Sequence, residues 1–72
     1  MRQKIRLDTM QDIQNFVDSV SKVPNKVVLM DDEGHCVSAK SVIGVAYSKL
    51  EWKNIYAICD EDITTHIIKW IM

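Results

Sequence analysis

The sequence predicts an α+β open-faced sandwich: a four-stranded antiparallel sheet with three helices on one face. Three observations lead there. Apolar residues recur at helical spacing in three segments, and most of the intervening segments alternate with a period of two. Asp8-Thr9, Pro24-Asn25 and Asp31-Asp32-Glu33-Gly34 punctuate the chain into the order β-α-β-β-α-β-α. Helices with a single apolar stripe and strands that alternate bury their apolar sides most economically as one helical layer over one sheet. A ferredoxin-like split β-α-β arrangement shares the first four elements and is the competing fold. The extra short helix after the third strand argues against it.

The first strand, residues 2–7, alternates Lys4 and Arg6 against Ile5 and Leu7. Asp8-Thr9 then supplies a helix cap, with Asp12 in the first turn. Met10, Ile13, Phe16, Val17 and Val20 form one stripe of a helix over about residues 9–21, which Pro24-Asn25 ends. Residues 26–30 are the second strand. Asp31-Asp32-Glu33-Gly34 is a hairpin turn in which glycine supplies the positive φ. Residues 35–37 are a short edge strand, 41–47 a short helix opened by Ser41, and 54–59 the fourth strand. Asp60 or Asp62 caps a last helix whose stripe is Ile63, Ile67, Trp70 and Ile71.

Seventy-two residues make one domain, 1–72, without repeats or linkers. A core of this size leaves only a few kcal/mol of net stability. The apolar fraction of 47% and charged fraction of 26% are those of a globular chain. A net charge of −1 gives no global pull toward nucleic acid or an anionic membrane. No apolar run reaches the roughly 18–20 residues of a membrane-spanning helix. The N-terminal residues read as no secretory signal, so Cys36 and Cys59 are expected as free thiols in a cytoplasmic protein.

Val37-Ser38-Ala39-Lys40-Ser41-Val42-Ile43-Gly44-Val45 resembles the strand, regulatory serine and short helix of the histidine-containing phosphocarrier protein, HPr, of the bacterial sugar phosphotransferase system. The stripe from Ile13 to Val20, with its Phe16-Val17 pair, resembles that family's first helix. The resemblance covers nearly the whole chain, and its middle segment is the specific part. It implies an HPr-like open-faced sandwich, a regulatory phosphorylation candidate at Ser41, and docking of protein partners on the outer side of the second helix through Val42, Ile43 and Ala46. The chain departs from the family where the chemistry resides. The family's Gly-Leu-His-Ala-Arg-Pro type of sequence carries the phosphorylated histidine. With Phe16-Val17 fixing the register, Thr9 stands at the histidine, Gln11 at the arginine and Asp12 at the proline.

A histidine phosphocarrier needs an imidazole at a helix N-terminus, where free N–H groups and the dipole hold phosphoryl oxygens. Here Asp8 and Asp12 put negative charge around that terminus. Thr9 reads as a cap, and no catalytic residue is expected. Ser41 is open to two readings, as a plain helix cap or as a capping serine whose phosphorylation adds charge beside an apolar patch, with Lys40 alongside. His35 and His66 lack basic partners at suggestive spacing. The set Cys36, Cys59, His35 and His66 has no Cys-x-x-Cys spacing, and alternation puts the two cysteines on opposite sheet faces. No metal or cofactor is implied.

The register taken from the family puts Val28, Met30, Val37, Ile55, Ala57 and Cys59 under the helices. Val27, Leu29, Cys36, Tyr56 and Ile58 then face away, flanked by Arg2, Lys4 and Arg6. An antiparallel sheet with a solvated face normally carries polar residues there, so this apolar cluster is a second candidate contact surface and a possible homodimer interface through Leu29, Tyr56 and Ile58. The expected function is a non-catalytic protein-binding or regulatory module of HPr type. The alternatives are a phosphocarrier using His35 or His66, and a small nucleic-acid-binding domain using the Arg2, Lys4 and Arg6 stripe.

Overall fold

A computed structural model describes all residues, 1–72. The elements are β1 (Arg2–Ile5), α1 (Met10–Ser21), β2 (Val27–Met30), β3 (Cys36–Ser38), α2 (Val42–Glu51), β4 (Ile55–Cys59) and α3 (Thr64–Ile67), the last continued by a 3₁₀ turn, Ile68–Trp70. Every ladder is antiparallel, and the strands lie in the order β1-β4-β2-β3. The expected open-faced α+β sandwich is therefore present. β1 and β3 occupy the two edges, whereas a ferredoxin-like sheet needs them at its centre.

The helices cover one face of this sheet. Ile13, Phe16, Val17 and Val20 from α1, Val45 from α2, and Ile63, Ile67 and Trp70 from the C-terminal segment meet Ile5, Val27, Leu29, Ile55, Ala57 and Cys59 in one core. Removing such side chains from water contributes about 1.5–3 kcal/mol for each large aliphatic or aromatic group. The Phe16 and Trp70 rings meet edge to face, centroids 5.4 Å apart, which ties the C-terminal turn to α1. The expected α1 stripe thus points inward, except that Met10 remains in solvent.

Four local features differ from the sequence reading. First, β2 has the opposite register: Val27 and Leu29 are buried in the core, and Val28 and Met30 lie on the open face. Side chains alternate every residue along a strand, so a slip of one exchanges the faces. Second, α2 runs past Tyr47 to Glu51, and the Trp52 N–H closes its last turn on the Ser48 carbonyl at 2.9 Å. Third, neither Asp60 nor Asp62 caps the last helix; Ile63 stands at that position without a side-chain cap, and Asp62 instead accepts the Thr64 N–H at 2.9 Å. Fourth, Ile71 leaves the helical stripe to bridge Ile5, while the Met72 N–H donates to the Lys4 carbonyl at 3.1 Å. The chain end thereby covers part of the β1 edge that would otherwise be open to pairing.

Two glycines shape the middle segment. Gly34 has φ +90°, which closes the β2–β3 hairpin in a conformation that side chains disfavour. A Cβ on Gly44 would lie 3.3 Å from the Val37 Cβ and 3.4 Å from the Ser38 carbonyl oxygen. Glycine there lets α2 settle directly on β3.

Candidate interaction surfaces

At the start of α1, Thr9 and Asp12 form a helix cap. The Thr9 hydroxyl accepts the Asp12 N–H at 3.0 Å, and an Asp12 carboxylate oxygen accepts the Asp8 and Thr9 N–H groups at 3.1 and 3.2 Å. These bonds, led by the one from Asp8, hold the Asp12 carboxyl below its ordinary pKa. Gln11 reaches away along the helix to Asn15, at 3.0 Å. Arg6 pairs with Asp8 at 2.7 Å. The Asp12 carboxylate thus takes the Asp8 and Thr9 N–H groups just ahead of the helix, the Thr9 hydroxyl takes the Asp12 N–H, and the negative charge sits where an incoming phosphoryl group would be repelled. No imidazole lies in this part of the chain.

Ser41 is the N-cap of α2. Its Oγ accepts the Gly44 N–H at 3.1 Å, in an extended backbone conformation that suits a cap. Lys40, expected beside a phosphate at Ser41, instead donates from Nζ to the Val23 carbonyl at 2.6 Å. It ties the start of α2 to the end of α1.

The outer side of α2 is the most apolar exposed surface. Ile43 is 84% exposed, Tyr47 52% and Leu50 81%, and the spacing i, i+4, i+7 places them on one face. Of the expected contact residues only Ile43 belongs to this face. Val42 and Ala46 are half-buried and pack against the core. Leu50 lies beyond the expected helix end at Tyr47, and Tyr47 lies within that helix at Ile43 plus four, so the spacing of Ile43, Tyr47 and Leu50 is the signal that finds both. The Tyr47 ring meets Trp52 edge to face with centroids 6.3 Å apart, which extends the apolar surface to the end of the helix.

The open sheet face carries Val28, Met30, Tyr56 and Ile58, each half-buried, with Arg2 and Lys4 on the β1 side and Cys36 and Ser38 on the β3 side. Val27 and Leu29, expected on this face, cannot contact a partner because they lie in the core. The Arg2 guanidinium covers the Tyr56 ring, and Asp32 accepts from the Tyr56 hydroxyl at 2.9 Å and the Asn54 amide at 2.7 Å. This polar lattice roofs part of the apolar cluster.

At the hairpin, Asp31 accepts the His35 N–H at 2.8 Å, and its other oxygen lies 2.9 Å from the His35 ring Nδ1. The carboxylate raises the His35 pKa from its ordinary 6.5. His66 is exposed on α3, remote from the hairpin in sequence. Cys36 is exposed and Cys59 buried, on opposite faces of the sheet as expected. No group of three His, Cys, Asp or Glu side chains is placed to hold a metal ion. No helix is long and apolar enough to cross a membrane.

Compared with protein-family models, with curated proteins and with solved structures, the chain matches none.

Proposed function

We propose that the chain is an HPr-related cytoplasmic module that binds a protein partner through the outer face of α2 and carries no phosphoryl group itself. The observation that carries this reading is the stripe of Ile43, Tyr47 and Leu50, left in solvent on a helix whose opposite side is in the core. An apolar stripe of this kind costs solubility unless a partner covers it. The cap built by Thr9 and Asp12 supports the absence of carrier activity, since it puts a carboxylate at the helix start and a hydroxyl on the Asp12 N–H. A second reading, phosphoryl transfer by His35, draws support from the carboxylate that orients its ring. Asp31 and Glu33 beside that ring oppose an incoming phosphate.

The test has two arms. Incubation with phosphoenolpyruvate and the first enzyme of the sugar phosphotransferase system is expected to leave no acid-labile phosphohistidine on the chain. Ile43→Lys is expected to abolish copurification of the partner from source cells while leaving the melting temperature unchanged. Labelled His35 or His66 would establish the carrier reading instead. Full retention of the partner by Ile43→Lys would remove α2 from the contact.

A further inference from the structure

One end of the molecule is divided by charge. Trp52, at the end of α2, lines two shallow grooves at once. The groove on the β1 side is rimmed by Lys4, Lys49 and Lys53, together with the Arg6–Asp8 pair. The groove on the hairpin side is rimmed by Glu33 and Glu51, together with the Asp31–His35 pair. None of the side chains of Lys4, Lys49, Lys53, Glu33 and Glu51 has a hydrogen-bond or ion-pair partner within the chain. The net charge is only −1, so this segregation of free cations from free anions is local. The divide itself is apolar: Trp52 lines both grooves and the Tyr47 ring meets it edge to face, while Met72, 65% exposed, lines the basic groove.

We propose that this end of the molecule is a self-complementary interface whose occupant is a second copy of the chain. In an isologous contact the two-fold axis lies in the plane of the interface, and each point meets its mirror position across that axis. An axis running along the divide at Trp52 lays the basic half of one copy on the acidic half of the other, twice. Lys49 and Lys53 then face Glu33 and Glu51 of the second copy, while the two Trp52 side chains meet near the axis. A foreign partner would need its own basic and acidic halves set side by side at the same spacing. A second copy matches both, because the complement of each half lies beside it. This inference rests on the reading of α2 as a contact face and names one occupant of its C-terminal end; Ile43, at the N-terminal end of α2, lines neither groove.

The test is sedimentation of four samples of the full chain at low salt: unaltered protein, Lys49→Glu/Lys53→Glu, Glu33→Lys/Glu51→Lys, and an equimolar mixture of the two variants. The unaltered protein is expected at twice the monomer mass, each variant alone at the monomer mass, and the mixture back at twice the monomer mass. Restoration on mixing also shows that both variants are folded. Raising salt from about 0.05 to about 0.5 M is expected to weaken the unaltered dimer by on the order of tenfold, since exposed charges are screened over a few ångströms there. A monomer at high concentration overturns the inference, as does a dimer that survives either charge reversal, or a mixture that stays monomeric. A fifth sample, Ile58→Lys, is expected to stay at twice the monomer mass; a dimer lost there but kept in both reversals would place the contact on the open sheet face, and overturns the inference too. A monomeric chain that still loses its partner in Ile43→Lys would sink this inference and leave the proposed function standing.

Discussion

The guanidinium carbon of Arg2 lies 4.4 Å from the centroid of the Tyr56 ring, so a cation from the edge strand β1 caps an aromatic ring on the central strand β4. The same phenol donates its hydroxyl hydrogen to Asp32, beyond the end of β2. One side chain thus links β1, β4 and the hairpin across the solvent face. The Asp32 hydrogen bond, reinforced by burial and by the carboxylate charge, raises the Tyr56 pKa above 10.0, against the pull of Arg2. The Asn54 and Tyr56 hydrogen bonds depress Asp32 below 3.8. Tyr56, raised in the folded state, contributes stability that is present below pH 10.0 and lost as pH rises through its folded pKa. Asp32, depressed, contributes stability that is present above pH 3.8 and lost as pH falls through its folded pKa. Asp32→Asn is expected to bring the Tyr56 titration back toward 10.0, followed by NMR of the ring protons. A titration that does not move would mean that the phenol and the carboxylate are not bonded in solution.

The Thr9 cap gives a stability prediction. Thr9→Ala removes the acceptor for the Asp12 N–H and is expected to cost about 1 kcal/mol in urea unfolding. Thr9→Ser keeps the oxygen and is expected to recover most of that loss. Equal losses in both variants would point to the threonine methyl group rather than to the cap.

The register of β2 separates two neighbouring valine and leucine positions. Leu29 is fully buried between the helices and Ala57's strand, whereas Val28 stands on the open face beside Ile58. Leu29→Ala is expected to cost about 2–5 kcal/mol through lost burial and the cavity it leaves. Val28→Ala is expected to cost less than about 1 kcal/mol. Denaturation midpoints of the two variants decide between the registers, and the reverse order would restore the arrangement with Val28 inside.

That register marks the limit of what this sequence displays. β1 was legible because Lys4 and Arg6 alternate with Ile5 and Leu7, so its polarity names its faces. Val27-Val28-Leu29-Met30 is apolar at every position, and either set of alternates can be buried at equal cost. The ladder with β4 decides: Leu29 pairs with Ala57, and Val27 with Cys59, both on the helical side. α1 was legible to within a residue because a cap, a stripe and a proline all agree. α2 runs past the expected end at Tyr47 with Ser48 facing inward: its hydroxyl is satisfied by the Val45 carbonyl at 2.7 Å and the residue is fully buried, which a polar residue type does not announce. The end of α2 carries Leu50 and Trp52, so the apolar centre of the charged end was lost with it. Lys49, Glu51 and Lys53 are neighbours of Trp52 in sequence with mixed signs, and only the fold sorts them to either side of Trp52 and adds Lys4 to one side and Glu33 to the other.

His35 offers a titration that reports on the hairpin. Its hydrogen bond with Asp31, and then the charge of that carboxylate, favour the protonated ring and raise its pKa from 6.5. On Asp31 the largest influence, burial, raises the pKa, but the bonds from the His35 ring and the His35 and Glu33 N–H groups outweigh it and lower it on balance. The histidine's contribution to stability is therefore fully present below pH 6.5 and lost as pH rises through its folded pKa. Asp31→Asn is expected to move the His35 titration down toward 6.5, as read from its ring carbon protons, and to loosen the turn closed by Gly34. An unchanged His35 titration in that variant would place the source of the shift elsewhere.

Ser41 lets capping and regulation be told apart, because the two roles respond differently to alanine and aspartate. The Oγ bond to the Gly44 N–H satisfies one donor at the start of α2, so Ser41→Ala is expected to cost about 1 kcal/mol of stability. Aspartate is as good a cap as serine, and its charge is favoured by the helix dipole, so Ser41→Asp is expected to keep that stability. Lys40 is held on the Val23 carbonyl and leaves the new charge without a cationic partner beside it. The charge then sits two residues from Ile43, at the start of the apolar stripe. A regulatory serine predicts that Ser41→Asp weakens partner binding at α2 several-fold while its unfolding midpoint stays unchanged. Ser41→Ala is expected to show the opposite pattern, a lower midpoint with partner binding retained. If Ser41→Asp binds as the unaltered chain does, the residue is a cap and nothing more, and any regulation of the α2 face must enter elsewhere.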